Sequence, residues 1–190
     1  MIIGVPKEIK NNENRVAIIP KNASILSKQN HHILIESNAG IGAGYTDKEY
    51  LNSGCKITSN AEEIYENAEL ITKVKEPLKS EYKYLHKKPI LFTFLHLAAN
   101  KSLSMNLLKS KMTSIAYEAV SKDGKTFPLL KPMSEIAGKL APQIAANFLQ
   151  KQYGGPGLLI GGTSNIKPLN ISIIGAGIVG YNAAIISNGM

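Results

Sequence analysis

The sequence contains no tryptophan, one cysteine and one arginine among 190 residues. With a single thiol, Cys55, no disulfide can form within the chain, and a packed, unpaired cysteine in a reducing compartment is expected. No apolar run approaches the ~20 residues that a membrane-spanning helix needs. The opening MIIGVPKEIK has no basic region, apolar core or small-residue cleavage site of a secretory leader. These absences point to a cytoplasmic protein with no membrane partner. Long basic runs and aromatic–basic nucleic-acid signatures are missing as well. The net charge of +8 comes from scattered lysines, with only Lys87 and Lys88 adjacent, and reads as a solvated surface, so no nucleic acid is expected as a partner. No metal site is expected either. The balance of 44% hydrophobic and 19% charged residues is that of an ordinary globular chain.

Against this lysine-rich background the lone arginine carries information. Arg15 lies in KEIKNNENRVAIIP. A guanidinium differs from an ammonium in its planar fork, which grips a carboxylate or phosphate through two parallel hydrogen bonds. Arg15 is therefore a candidate carboxylate ligand. The alternative is a structural ion pair with Glu8 or Glu13.

The rest of the chain alternates short apolar runs with helical patterns. Residues 2–5, 33–37, 69–75, 90–96 and 114–120 read as strands. Pro20 opens a helix reaching about Lys28. Ser59 and Glu62 form an S-x-x-E box that predicts a helix over 60–68. Another helix is expected near 102–111. Strand–helix–strand spacing of this kind predicts an α/β fold with a mostly parallel sheet.

In PMSEIAGKLAPQIAANFLQKQ, the residues Met133, Ile136, Ala137, Leu140, Ala141, Ile144, Ala145, Phe148 and Leu149 recur at intervals of three and four. They predict one apolar face on a helix over 133–152, bent at Pro142. The glycines after Gln152 end it. The chain then closes on ISIIGAGIVGYNAAIISNGM. A β-branched run, Ile171–Ile174, meets Gly175, Gly177 and Gly180 in a G-x-G-x-x-G turn that opens a helix. That context fits a Rossmann-type dinucleotide-binding turn, with phosphates over Gly177 and the helix N-terminus. The expected organisation is a substrate domain over 1–130, a connecting helix over 131–152, and the start of a dinucleotide-binding domain over 153–190.

Two further residues stand at predicted strand ends, where open α/β sheets place their ligands. His96 ends ILFTFLH, and an imidazole exchanges protons near neutral pH. Lys75 ends ELITKVK, on the same strand face as Lys73. Taken singly, His96 reads as a capping group and Lys75 as a solvated cation. Together with Arg15 they make a carboxylate clamp, a carbonyl-polarising cation and a proton carrier. That set suits a 2-keto acid or amino acid reacting beside a nicotinamide.

The stretches IGVPKEIKNNENRVA, AGIGAGYTDKEY, KVKEP, LFTFLHLA, AYEAV, PLLKPMSEIAG and IIGAGIVGYNAA carry a resemblance. The chain resembles the NAD-dependent alanine dehydrogenase family along its whole length, and transhydrogenase subunits and saccharopine dehydrogenases less. The resemblance implies reversible oxidative deamination of L-alanine to pyruvate and ammonia, with NAD as cofactor. It implies that Arg15 and Lys75 hold the substrate, that His96 is the catalytic acid/base, and that Ser134, Gly175, Gly177, Ile178, Val179 and Gly180 contact the dinucleotide. A homo-oligomer is implied too.

The chain departs from the family at Gly161–Asn165, at Pro142 and at its end. An acid binding the adenosine ribose is expected about 20 residues past the glycine turn. Ten residues follow Gly180, none of them acidic. The expectation is a truncated Rossmann-type domain, inactive unless a complementing C-terminal chain supplies the rest. The alternative is a non-catalytic keto-acid-binding or interaction module.

Overall fold

The computed structural model describes residues 1–86 and 88–190. The chain divides into two compact units, Met1–Val120 and Ser121–Met190.

The first unit is built on six strands: β1 (Ile2–Val5), β2 (His32–Glu36), β3 (Lys56–Thr58), β4 (Leu70–Thr72), β5 (Ile90–Thr93) and β6 (Ser114–Ala116). They lie in the order β3-β2-β1-β4-β5-β6, and every pairing is parallel. Helices α1 (Pro20–Lys28), α2 (Asp47–Asn52), α3 (Ala61–Asn67) and α4 (Lys101–Ser110) connect them. Both faces of such a sheet are covered, so its strands read as continuous apolar runs such as IIGV and HILIE. Side chains still alternate. Ile33 and Ile35 join Val5, Ala23, Tyr50 and Cys55 in one core, while Leu34 joins Ile64, Tyr65, Ile71 and Leu91 in the other. Gly4 lets α3 close onto β1: a Cβ there would stand 2.4 Å from Ile64 Cγ2.

Several elements differ from the sequence pattern. The N-cap of α3 is Asn60, whose side chain accepts a 2.9 Å bond from the Glu63 N–H. Asn is as good a cap as Ser, and Ser59 serves only to accept from the Asn60 amide. Helix α2, with its Thr46–Glu49 capping box, and strand β3 had no periodic signal, being six and three residues long. Strands β4, β5 and β6 stop three or four residues before 75, 96 and 120. Past the ends of β4 and β5 the backbone N–H groups turn from neighbouring strands to carboxylates, as described below.

In the second unit, α5 runs over Lys131–Phe148 with a proline in its first turn and continues through a buried Pro142. A 3-10 turn, Lys151–Tyr153, follows, and α6 spans Ile178–Gly189. The apolar face expected to be buried is exposed: Ile136, Leu140, Ile144 and Phe148 are 45–68% accessible. The side of α5 that packs against α6 is the one bearing Gly138. A Cβ at Gly138 would stand 2.3 Å from the Val179 carbonyl oxygen and 2.8 Å from Asn182 Cβ. Close approach of two helix backbones selects a residue without a side chain, and the periodicity of the larger apolar residues does not report it. Ile171–Ile174, expected as a strand, pairs with no strand among the described residues. A strand is held by hydrogen bonds from a neighbour, and this run has none.

Candidate functional site

The strand order reverses between β1 and β4. From β1 the chain winds outward to β2 and β3; from β4 it winds the other way to β5 and β6. Such a switch point opens a crevice at the carboxyl ends of the strands, because the connections on its two sides depart in opposite directions. Arg15 lies in the long connection after β1, Lys75 three residues beyond β4, and His96 three residues beyond β5. The fold thus carries all three to the carboxyl edge of adjacent strands.

Arg15 uses its fork on a neighbour. Nε donates to Glu13 Oε1 at 2.8 Å and Nη2 to Glu13 Oε2 at 2.6 Å, while the Arg15 backbone N–H also donates to Oε1 at 2.9 Å. Of the two ion-pair partners the sequence offered, Glu13 is the one engaged. The hydrogen bonds from Arg15 hold the Glu13 carboxyl below the usual carboxylate range, and Lys75 adds to the same effect. Glu13 raises the Arg15 guanidinium in turn. The Arg15 side chain remains half exposed. It lines a cavity of about 590 Å³ with Lys7, Lys10, Asn14 and Asn38.

Lys75 is half-buried, with Nζ 3.8 Å from Glu76 Oε2. Glu76 also takes the Lys10 ammonium at 2.5 Å. Burial pushes the Glu76 carboxyl up, but Lys10, Lys75 and its own backbone together bring it below its ordinary value. The backbone of this segment is fixed from two sides. Glu8 Oε1 accepts from the N–H groups of Val74 at 2.6 Å and Lys75 at 3.3 Å, and the Lys75 carbonyl accepts from Thr93 Oγ1 at 3.0 Å.

Behind this edge lies an ionic core that the sequence reading missed. Lys73 is fully buried, with Nζ 2.5 Å from Glu81 Oε1 and 3.7 Å from Glu8 Oε2. Glu81 Oε2 accepts from the Leu78 N–H at 2.8 Å. Burial raises the Glu8 carboxyl against the opposing pull of Lys73. The available signal was a lysine inside the apolar run LITKV, which needs a carboxylate if the strand is covered on both faces.

His96 is exposed and adopts left-handed backbone, φ 47°. Its N–H and that of Leu95 are both held by the Glu118 carboxylate. Its ring stacks on Phe94 with centroids 6.2 Å apart. His31, His32 and His86 lie away from these strand ends.

The second unit holds the glycine turn. Gly175 has φ +104°, which a side chain would disfavour. Gly180 brings α6 onto the turn, since a Cβ there would stand 2.0 Å from the Gly175 carbonyl oxygen. Nothing lies within 4 Å of the Cβ position at Gly177, the N-cap of α6. Tight turn, open approach and close packing are the three duties of glycine in a dinucleotide-binding loop. A mostly apolar cavity of about 720 Å³ runs along this turn and is lined also by Ser134, Ile178 and Val179. Ser134 Oγ donates to the Leu130 carbonyl at 3.4 Å. Among the described residues no cluster of His, Cys, Asp or Glu is arranged to hold a metal ion.

Comparison with known proteins follows the same lines. Residues 4–137 match the family model described as alanine dehydrogenase/PNT, N-terminal domain, and residues 141–190 match that of alanine dehydrogenase/PNT, C-terminal domain. The chain is 50% identical over 190 residues to an alanine dehydrogenase of Methanococcus maripaludis, and 48% identical to one of Bacillus subtilis; each alignment covers 100% of the chain. It covers 51% and 50% of those proteins, so it spans about half the length of the curated relatives it matches. A solved L-alanine dehydrogenase superposes with a TM-score of 0.91 at 45% identity, covering 100% of this chain and 52% of that one. A transhydrogenase from Sinorhizobium meliloti superposes at 0.80 with 22% identity, covering 100% of this chain and 56% of that one, and shows a shared fold. One family model spans residues 4–137, a second spans 141–190, and the relatives align along the whole chain: the chain belongs to the alanine dehydrogenase/PNT family.

Proposed function

We propose that the first unit binds pyruvate or L-alanine at the β1/β4 switch point, and that the chain serves reversible NAD-dependent oxidative deamination of L-alanine to pyruvate and ammonia. The observation that carries this is the placement of Arg15, Lys75 and His96 after β1, β4 and β5, at the carboxyl ends of three adjacent strands around the switch point. The Arg15 guanidinium pairs with the substrate carboxylate, and the Lys75 ammonium polarises the carbonyl oxygen. The His96 imidazole accepts the proton of the water that displaces ammonia and returns it in the reverse direction. The Phe94 ring lies against one side of the His96 imidazole.

The glycine turn fits a dinucleotide. Gly177 offers open backbone at the N-terminus of a 12-residue helix, where unpaired N–H groups and the dipole favour phosphate. Gly175, Gly177 and Gly180 would hold the pyrophosphate, with Ser134, Ile178 and Val179 along the adjoining wall. When bound, NAD supplies the acceptor for the hydride leaving the alanine Cα.

The sole arginine makes the test direct, because its Nε–H gives a single resonance in a ¹⁵N-labelled chain. Titration with pyruvate is expected to shift that resonance saturably. Arg15→Lys keeps the charge and loses the fork, and is expected to weaken pyruvate about tenfold to a hundredfold. A resonance that pyruvate does not move, or a lysine variant that binds as well as wild type, would rule the reading out.

A further inference from the structure

We infer that Glu118 is a positioning residue for His96: its carboxylate grips the two amides that set the direction of the imidazole. This rests on the reading of His96 as the proton carrier. After β5 the sheet ends, and nothing in the strand pattern dictates where residue 96 points. The backbone there is left-handed, a region that costs an ordinary L-residue about 1 kcal/mol or more. Without an external hold, the extended conformation would be preferred and would carry the ring elsewhere. Glu118 supplies the hold. Both its oxygens lie 3.2 Å from the Leu95 nitrogen, and Oε1 lies 2.8 Å from the His96 nitrogen. Two successive N–H groups converging at a left-handed residue form a small anion-binding concavity, and a carboxylate is its natural occupant. Among the described residues the Glu118 carboxylate makes no ion pair, so its acceptor capacity is directed to these amides.

The segment that brings Glu118 is itself anchored. Tyr117–Ala119 is a 3-10 turn directly after β6, and β6 pairs with β5 in register. Tyr117 packs edge-on against Phe92 at 4.3 Å and Phe94 at 5.0 Å, and its hydroxyl shares a 2.5 Å hydrogen bond with Thr72 Oγ1. Phe94 in turn carries the His96 ring, at an interplanar angle of 18°. Residues 117 and 118 therefore fix His96 twice: through its backbone by Glu118, and through the aromatic surface under its ring by Tyr117. The apolar partners could hold the ring in several rotations about the chain. The carboxylate holds the left-handed turn through its N–H groups, and the Ala99 N–H, which donates to the His96 carbonyl at 3.1 Å, closes the following 3-10 turn.

The experiment compares wild type, Glu118→Gln and Glu118→Leu by NMR on the labelled chain. In wild type, the Leu95 and His96 amides are expected downfield, as donors to a carboxylate, and the His96 ring protons are expected to show a ring-current shift from Phe94. Gln keeps one acceptor and should weaken both signatures; Leu should abolish them. In the same samples the pyruvate midpoint read at Arg15 is expected to stay within about twofold of wild type. The pyruvate-induced change at the His96 ring should fall by more than about half. Unchanged ring-current shift in both variants would overturn the inference. So would equal losses at Arg15 and throughout the sheet, which would show general disruption. If pyruvate moves neither Arg15 nor His96 in wild type, the keto-acid reading falls, while the amides and the ring-current shift still decide the role of Glu118.

Discussion

Replacing Lys73 with methionine removes the cation that lies between two buried carboxylates. The Lys73 side chain is 0% exposed, and those of Glu8 and Glu81 are 5% and 6% exposed. Methionine nearly matches the lysine stem in length and polarity, so packing changes little and the electrostatic effect stands out. Removing one partner of a buried pair costs about 3–5 kcal/mol, because the remaining charge has lost both water and counterion. That is a large share of the 5–15 kcal/mol that holds a typical domain folded. The pH dependence has a definite sign. Burial already raises the Glu8 carboxyl above its ordinary value, and Lys73 is the chief force pulling it down. Without Lys73 it rises further. A carboxyl raised in the folded state contributes stability below its unfolded pKa and loses it as pH rises through the folded value. The deficit of Lys73→Met should therefore be greater at about pH 7.5 than at about pH 5. Urea denaturation followed by circular dichroism at both pH values would measure it. A variant within about 1 kcal/mol of wild type at both, or a deficit that shrinks as pH rises, would refute the reasoning.

Gly138→Ala places a methyl group 2.3 Å from the Val179 carbonyl oxygen and should cost the α5–α6 contact about 1–3 kcal/mol; amide exchange in both helices should quicken correspondingly, and unchanged protection would show that the helices separate freely. Burial pushes the Cys55 thiol up to about 11, so at about pH 8 a disulfide reagent should modify it at least about a hundredfold more slowly than a free thiol, with rapid labelling only after unfolding. Immediate stoichiometric labelling of the native chain would contradict that burial.

Composition and local pattern determined the class of the fold. Apolar runs such as IIGV and HILIE, spaced by helical stretches, specify buried parallel strands because only a sheet covered on both faces leaves no polar residue to alternate. The lone arginine and the two residues closing KVK and FLH were legible as candidates because a strand end in such a sheet is a place where side chains meet ligands. Tertiary structure decided the rest. Strand order, and with it the switch point between β1 and β4, depends on pairings between residues about 30 and 70 positions apart, which no local window contains. The partner of Arg15 was one of two glutamates until the loop after β1 took its path. Glu8 and Glu118 sit in stretches that carry the family resemblance, but no local pattern gives them a role; they matter because they reach the amides of residues 66 and 22–23 positions away. The helix over 131–148 is the sharpest case. Its periodicity marks Ile136, Leu140, Ile144 and Phe148 as a face, but α6 came to rest against Gly138 instead, because two backbones can approach closely only where a side chain is missing.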